Sequence, residues 1–119
     1  MVDIATVRRL ALSVPDAEDR SDSDALSFAL HGKGFAWTYS ARVEPKRPRR
    51  PRIDVLAVRC PIEKKEMLVE AAPDVFFDDD HYRGFPAVLV RLEAIDQEEL
   101  SALLKDAGAL VKPKRRRRS

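Results

Sequence analysis

From Asp74 to Leu92 the chain reads D-V-F-F-D-D-D-H-Y-R-G-F-P-A-V-L-V-R-L, and no other stretch constrains the fold as much. Gly84 admits backbone angles closed to other residues, whereas Pro86 fixes its own φ and gives up an N–H. Two such residues around Phe85 require a tight turn, and the apolar run Ala87 to Leu92 behind it has strand composition. Phe76 and Phe77 lead in, followed by Asp78, Asp79 and Asp80 and then by His81, Tyr82 and Arg83. These are unusual side chains for a mere connection, so the turn is a candidate site as well as a corner.

Periodicity places the other elements around that corner. Asp3 is positioned to cap a helix with Ile4, Val7, Leu10 and Ala11 on one face, closed by Pro15. Residues 16 to 24 are acidic and aperiodic, which predicts a loop. Leu26, Phe28 and Leu30 alternate with Ser27, Ala29 and His31. After a turn at Gly32-Lys33-Gly34, Phe35, Trp37 and Tyr39 alternate with Ala36, Thr38 and Ser40, so the two runs predict a β-hairpin. Residues 43 to 52, V-E-P-K-R-P-R-R-P-R, set three prolines among cations; proline at that density cannot join a ladder, and an exposed loop is expected.

A strand resumes over Ile53 to Cys60, covered on both faces because Val55, Leu56, Ala57 and Val58 are all apolar. Pro61 suits the first turn of a helix running to about Ala72, ended by Pro73, with a narrow inward stripe of Ile62, Lys65, Val69 and Ala72 near Leu68. Asp96 and Glu99 form a capping-box-like pair before Leu100, Leu103, Leu104, Ala107 and Val111, the cleanest helical spacing in the chain. One helix followed by β, β, β, α, β, α predicts an α+β fold, a two-layer sandwich of an antiparallel sheet with helices. Residues 1–111 then form a single domain carrying the basic Pro/Arg loop at 43–52, and 112–119 form a basic tail expected to be disordered.

With 119 residues, of which 45% are hydrophobic, there is material for one modest core and no second domain. A lone cysteine, Cys60, excludes an internal disulfide, and with two histidines in all a structural zinc site of the usual spacing cannot be assembled. No apolar run reaches the length of about 18 residues that a membrane span needs, and no secretory leader pattern opens the chain, so a soluble cytoplasmic protein is expected. The net charge of +2 conceals a segregation. Lys46, Arg47, Arg49, Arg50 and Arg52 form one basic run, and Lys112, Lys114, Arg115, Arg116, Arg117 and Arg118 form another. Setting those eleven aside from 22 Lys and Arg leaves 11 against 20 Asp and Glu, a remainder of −9. Blocks of like charge commonly serve as tails or loops that meet polyanions.

The stretch F-F-x-x-x-H-Y-R-G-F-P-x-V-L-V-R-L resembles the signature of the MmcQ/YjbR family of small bacterial proteins, with His81, Tyr82, Arg83, Gly84 and Pro86 matching the motif as it stands. The resemblance covers most of the chain, extending through the last helix to Val111-Lys112-Pro113-Lys114 and faintly back to the first. It implies a curved sheet of CyaY-like arrangement, a DNA-binding-like double-wing fold, and a structural role for the five motif residues. The basic runs at 46–52 and 115–118 look like additions of this chain.

Each chemical feature has a plainer alternative. Asp78, Asp79, Asp80 and His81 are proper ligand types for a divalent ion, but consecutive turn residues seldom converge on one, so a solvated acidic turn without metal is expected. His81 as a general base lacks any motif that brings a nucleophile beside it. His81 and Tyr82 are therefore expected to bond backbone groups and hold the turn. Phe35, Trp37 and Tyr39 could be a base-stacking platform, but three aromatics at period two are more often core or cross-strand pairs, and that is expected here. Cys60 reads as a small buried hydrophobe. The basic runs remain either solvated surface or phosphate grips.

Three functions are compatible with these features. A non-catalytic nucleic-acid-binding protein, DNA above all, would need no cofactor and no membrane and would grip phosphates through the two basic arms. An interaction or regulatory module would place the same arms on an acidic protein partner. A small-ligand or enzymatic site around Trp37, His81 and Tyr82 would require a concave pocket there.

Overall fold

The computed structural model describes residues 2–22, 25–41, 50–80 and 82–111. Helix α1 (Ile4–Leu12) starts where Asp3 Oδ1 accepts the Thr6 amide at 2.8 Å, and its Val7, Leu10 and Ala11 are buried. The strands β1 (Glu18–Asp19), β2 (Ser27–Leu30), β3 (Lys33–Ala41), β4 (Arg50–Arg59), β5 (Phe76–Phe77) and β6 (Ala87–Arg91) form one sheet. Their order is β1-β2-β3-β4-β6-β5, with every neighbouring pair antiparallel. Helix α2 (Ile62–Ala71) follows β4 from Pro61, and α3 (Gln97–Val111) closes the described chain. At its start Asp96 Oδ1 accepts the Glu99 amide at 2.7 Å, the half of the expected capping pair that runs from cap to first turn. This is the predicted antiparallel α+β architecture.

One face of the sheet packs on the helices. Phe28, Leu30, Leu56, Val58, Val88 and Val90 meet Val7 and Leu10 of α1 and Leu100, Leu103, Leu104 and Ala107 of α3 in a single cluster. Each fully buried side chain of this size removes from water apolar surface worth about 1.5–3 kcal/mol. On the opposite face a smaller cluster joins Tyr39, Val55, Ala57, Tyr82, Ala87 and Leu89, with Trp37 and Phe77 against it. Interior strand β4 thus has Leu56 and Val58 on one side and Val55 and Ala57 on the other, as its unbroken apolar run requires.

The structure corrects four sequence expectations. Within the supposed loop at 16–24, Glu18 and Asp19 pair with Ala29 and Phe28 as an edge strand too short to leave a periodicity signal. The hairpin turn is His31-Gly32 rather than Gly32-Lys33-Gly34: both residues have positive φ (52° and 81°), the geometry of a two-residue type I′ loop, and Lys33 already pairs with Leu30. Strand β4 begins at Arg50, so the last three residues of the expected 43–52 loop join the ladder, with Ser40 opposite Pro51. Proline is tolerated there because β6 pairs with β4 only over Val55 to Arg59, leaving the earlier part of β4 an edge.

The fourth correction concerns the aromatic stripe. Ala36 pairs with Phe28 and Gly34 with Ala29, so Phe35 is the extra residue of a bulge. Phe35 joins Ala36 in the helix-side core, while Trp37 and Tyr39 turn to the opposite face. The three aromatics do not form one stack.

Candidate functional site

The motif turn at 78–86 closes over the helix-free face of the sheet. Gly84 holds φ at 76°, which a residue with a Cβ adopts only under strain, and this lets the Phe85 amide return to the Tyr82 carbonyl at 2.9 Å. The Tyr82 amide is bonded to the Asp79 carbonyl (3.1 Å) and to Asp79 Oδ1 (2.8 Å), and the Asp79 amide to Asp78 Oδ1 (2.9 Å). Beyond Pro86, whose carbonyl accepts the Cys60 amide at 2.9 Å, the chain enters β6.

Lys65 of α2 locks this turn. The residue is 3% exposed, and Nζ donates to the Tyr82 carbonyl at 2.7 Å and the Phe85 carbonyl at 2.9 Å and pairs with Asp78 Oδ2 at 3.1 Å. An ammonium has three protons to donate, and three oxygens stand within reach to take them. The inward stripe read from α2 included Lys65 as one apolar-facing position among four; it is the one buried residue of that helix.

Aromatic rings fill the space beneath. Trp37 Nε1 donates to the Tyr82 hydroxyl at 2.8 Å, and the Tyr39 hydroxyl donates to Asp79 Oδ2. Tyr82 stands edge-on to Tyr39 (5.9 Å between centroids) and to Phe85 (5.8 Å), and Trp37 edge-on to Phe85 (6.2 Å). Arg59, at the end of β4, donates from Nε to the Gly34 carbonyl at 2.9 Å and lies 5.8 Å from the centroids of both Trp37 and Phe85. Arg91 covers Phe77 at 4.2 Å.

The three acids therefore diverge. Asp78 goes to Lys65, Asp79 to Tyr39 and the Tyr82 amide, and Asp80 to Arg83 at 2.8 Å on the exposed rim. Among the described residues no three His, Cys, Asp or Glu side chains are placed to hold a metal ion. The Tyr82 hydroxyl is engaged by the Trp37 indole rather than by backbone. His81 lies outside the described residues. Of the small-ligand trio, Trp37 and Tyr82 are brought into direct contact. Cys60 is buried, and burial pushes its thiol above the usual range against the weaker pull of Lys64 and Lys65, so it stays a protonated hydrophobe.

Lys46, Arg47, Arg49, Lys112, Lys114 and Arg115 to Arg118 fall outside the described residues, and Arg50 and Arg52 are fixed only as backbone of β4. Their points of attachment are defined. The first run joins Ala41 to Arg50, a paired position at the far end of β3. The second follows Val111, one turn after Gly108, where an added Cβ would meet Val14 and Leu30; Leu30 pairs with Lys33 at the near end of β3. The first run thus attaches at one end of β3, and the second follows α3, whose Gly108 lies against Leu30 beside the other end. Lys65, Arg59 and Phe85 were not singled out by sequence reasoning: a lysine on a helix stripe and an arginine ending a strand carry no local signal of their partners.

The chain is a small α+β domain whose motif turn covers one sheet face with a buried lysine behind the corner, and comparison with known proteins shows the family to which it belongs. The sequence matches the YjbR family over residues 12–107, and the chain belongs to that family. It is 38% identical over 65 residues to uncharacterised proteins of Mycobacterium tuberculosis (Rv2570) and Mycobacterium bovis (Mb2600), covering 54% of this chain and 50% of each relative. The chain thus spans about half the length of the curated relatives it matches. The crystal structure of Deinococcus radiodurans protein DR2400, a DUF419 domain, superposes with a TM-score of 0.68 over 96% of this chain and 81% of that one. At 22% identity that likeness speaks for the fold. Among the described residues no helix is long and apolar enough to cross a membrane.

Proposed function

We propose that this YjbR-family chain is a non-catalytic, cytoplasmic nucleic-acid-binding protein that grips the phosphates of DNA through its two basic arms. The observation that carries the reading is charge segregation: eleven of 22 Lys and Arg lie in two short runs, and the remainder of the chain sums to −9. An acidic body repels a polyanion, so attraction must come from the arms. Their attachment supports a common ligand. The ends of β3 are eight residue steps apart, roughly 25 Å at the rise of an extended strand, and a duplex laid along that direction would present about seven base pairs between the arms. The motif acids are already engaged by Lys65, Tyr39 and Arg83, which fits a turn built for shape rather than for proton transfer.

Binding to unrelated duplexes over a range of salt tests this reading. Removing residues 112–118 takes away six cations and should flatten the slope of log affinity against log salt by about 5 units if all six meet phosphates. Neutralising Arg47, Arg49, Arg50 and Arg52 together should flatten it further, about equally for every sequence. A chain with no duplex affinity at low salt refutes the reading and leaves an acidic protein partner as the arms' target.

A further inference from the structure

We infer that Arg59, Trp37 and Phe85 form a platform on the helix-free sheet face that takes an unpaired nucleotide, its base stacked on the rings and its phosphate on the guanidinium. The inference rests on the nucleic-acid reading and adds to it a strand type and a second contact surface. Three observations carry it. Phe85 is a large apolar ring left 39% exposed, yet its backbone is fixed by its amide bond to the Tyr82 carbonyl at 2.9 Å on one side and by Lys65, which holds its carbonyl, on the other. A rigidly mounted aromatic loses little entropy when a flat ligand covers it. Trp37 stands edge-on beside it at 6.2 Å, anchored by Tyr82, so the two rings present adjoining surfaces at right angles.

The charge is complementary to a nucleotide. Arg8, Arg20 and Arg83 each pair with a carboxylate, whereas Arg59 has no such partner among the described residues and spends only Nε, on the Gly34 carbonyl. That bond and the two flanking rings fix the plane of the guanidinium, leaving its Nη donors to meet an anion in the bidentate manner arginine favours. A ligand that is both flat and anionic fits this set, and aromatic stacking with arginine contacts is how unpaired strands are held without regard to sequence. Duplex bases, already stacked on each other, cannot use it.

Trp37 is the chain's single tryptophan and therefore reports its own site. The full chain would be titrated at low salt with a short oligothymidylate, an abasic oligomer of equal length, which keeps the phosphates and lacks the bases, and a duplex. The expected result is tighter binding of oligothymidylate than of the abasic strand, by roughly 5- to 100-fold for the bases engaged, with quenching of Trp37 emission. Phe85→Leu should reduce that advantage while binding of the abasic strand holds. Arg59→Lys, which keeps the charge and loses the planar donor set, should also reduce it. Equal affinity for the thymidylate and abasic strands, or an advantage untouched in both variants when melting shows them folded, overturns the platform and leaves phosphate gripping by the arms in place. Binding to none of the three overturns both readings. A base-dependent advantage that persists in a chain with neutralised arms upholds the platform, and a salt slope unchanged by that neutralisation rejects the arms.

Discussion

Replacing Lys65 by methionine isolates the contribution of the buried ammonium, because the substitution keeps an unbranched apolar stem as far as Cε and removes only the charged end. Nζ donates to two carbonyls and pairs with Asp78. Neither carbonyl is orphaned by its loss: Tyr82 O keeps the Phe85 amide at 2.9 Å, and Phe85 O keeps the Ala87 amide at 2.8 Å. The variant therefore forfeits two hydrogen bonds from a charged donor, about 1.5–3 kcal/mol each. Asp78, with a side chain 29% exposed, can turn to water. Against this stands the desolvation of the ammonium, itself several kcal/mol, which the variant no longer incurs. The net expectation is a destabilisation of about 2 kcal/mol, or a fall in Tm of roughly 6–10 °C for a domain of this size. Because the released turn carries Tyr82, the partner of the Trp37 indole, Trp37 emission should shift to the red at temperatures below the melt. Lys64→Met is the internal control. Lys64 pairs with Asp106 at 2.8 Å on the surface, where such pairs contribute about 0–1 kcal/mol. Thermal melts that give the two variants equal Tm, with Trp37 emission unchanged in both, would refute the claim that Lys65 holds the turn.

Two further outcomes follow from the packing and the carboxylates. Gly108→Ala, nominally favoured in a helix by up to about 1 kcal/mol, should lower Tm, because its Cβ would lie 2.7 Å from Val14 Cγ1 and 3.2 Å from Leu30 Cδ1, and such overpacking costs about 1–3 kcal/mol. Asp3 and Asp19 are held below the usual carboxylate range, Asp3 by bonds from Thr6 and Asp19 by bonds from Ser21 and then by Arg8. A depressed folded pKa gives stability that is present above the unfolded value of about 3.9 and lost as pH falls through the folded value. The double variant Asp3→Ala, Asp19→Ala should thus melt below the parent at neutral pH, and the gap in Tm should narrow as pH is lowered below about 4.

Legibility in the sequence followed the range of the interaction. Asp3, the stripe of α3 and the double-sided run of β4 are set by neighbours within a few residues, and all three are where periodicity and capping place them. Phe35 was misread because period two assumes an unbroken ladder, and a one-residue bulge inverts every side chain after it. Edge strand β1 escaped notice because two residues have no period. The site was legible only in outline. Gly84 and Pro86 announced a constrained turn, but what the turn rests on is set by Lys65, 17 residues before Tyr82, and by Trp37, 45 residues before it. A lysine on an inward stripe is normally read as snorkelling to water; whether it instead satisfies three oxygens depends on a loop whose position periodicity does not encode. The same limit applies to Arg59. It carries no local signal in the sequence, and its interest arises only when the fold sets it between two rings, with no acid opposite it among the described residues, in a body that otherwise carries a surplus of acids.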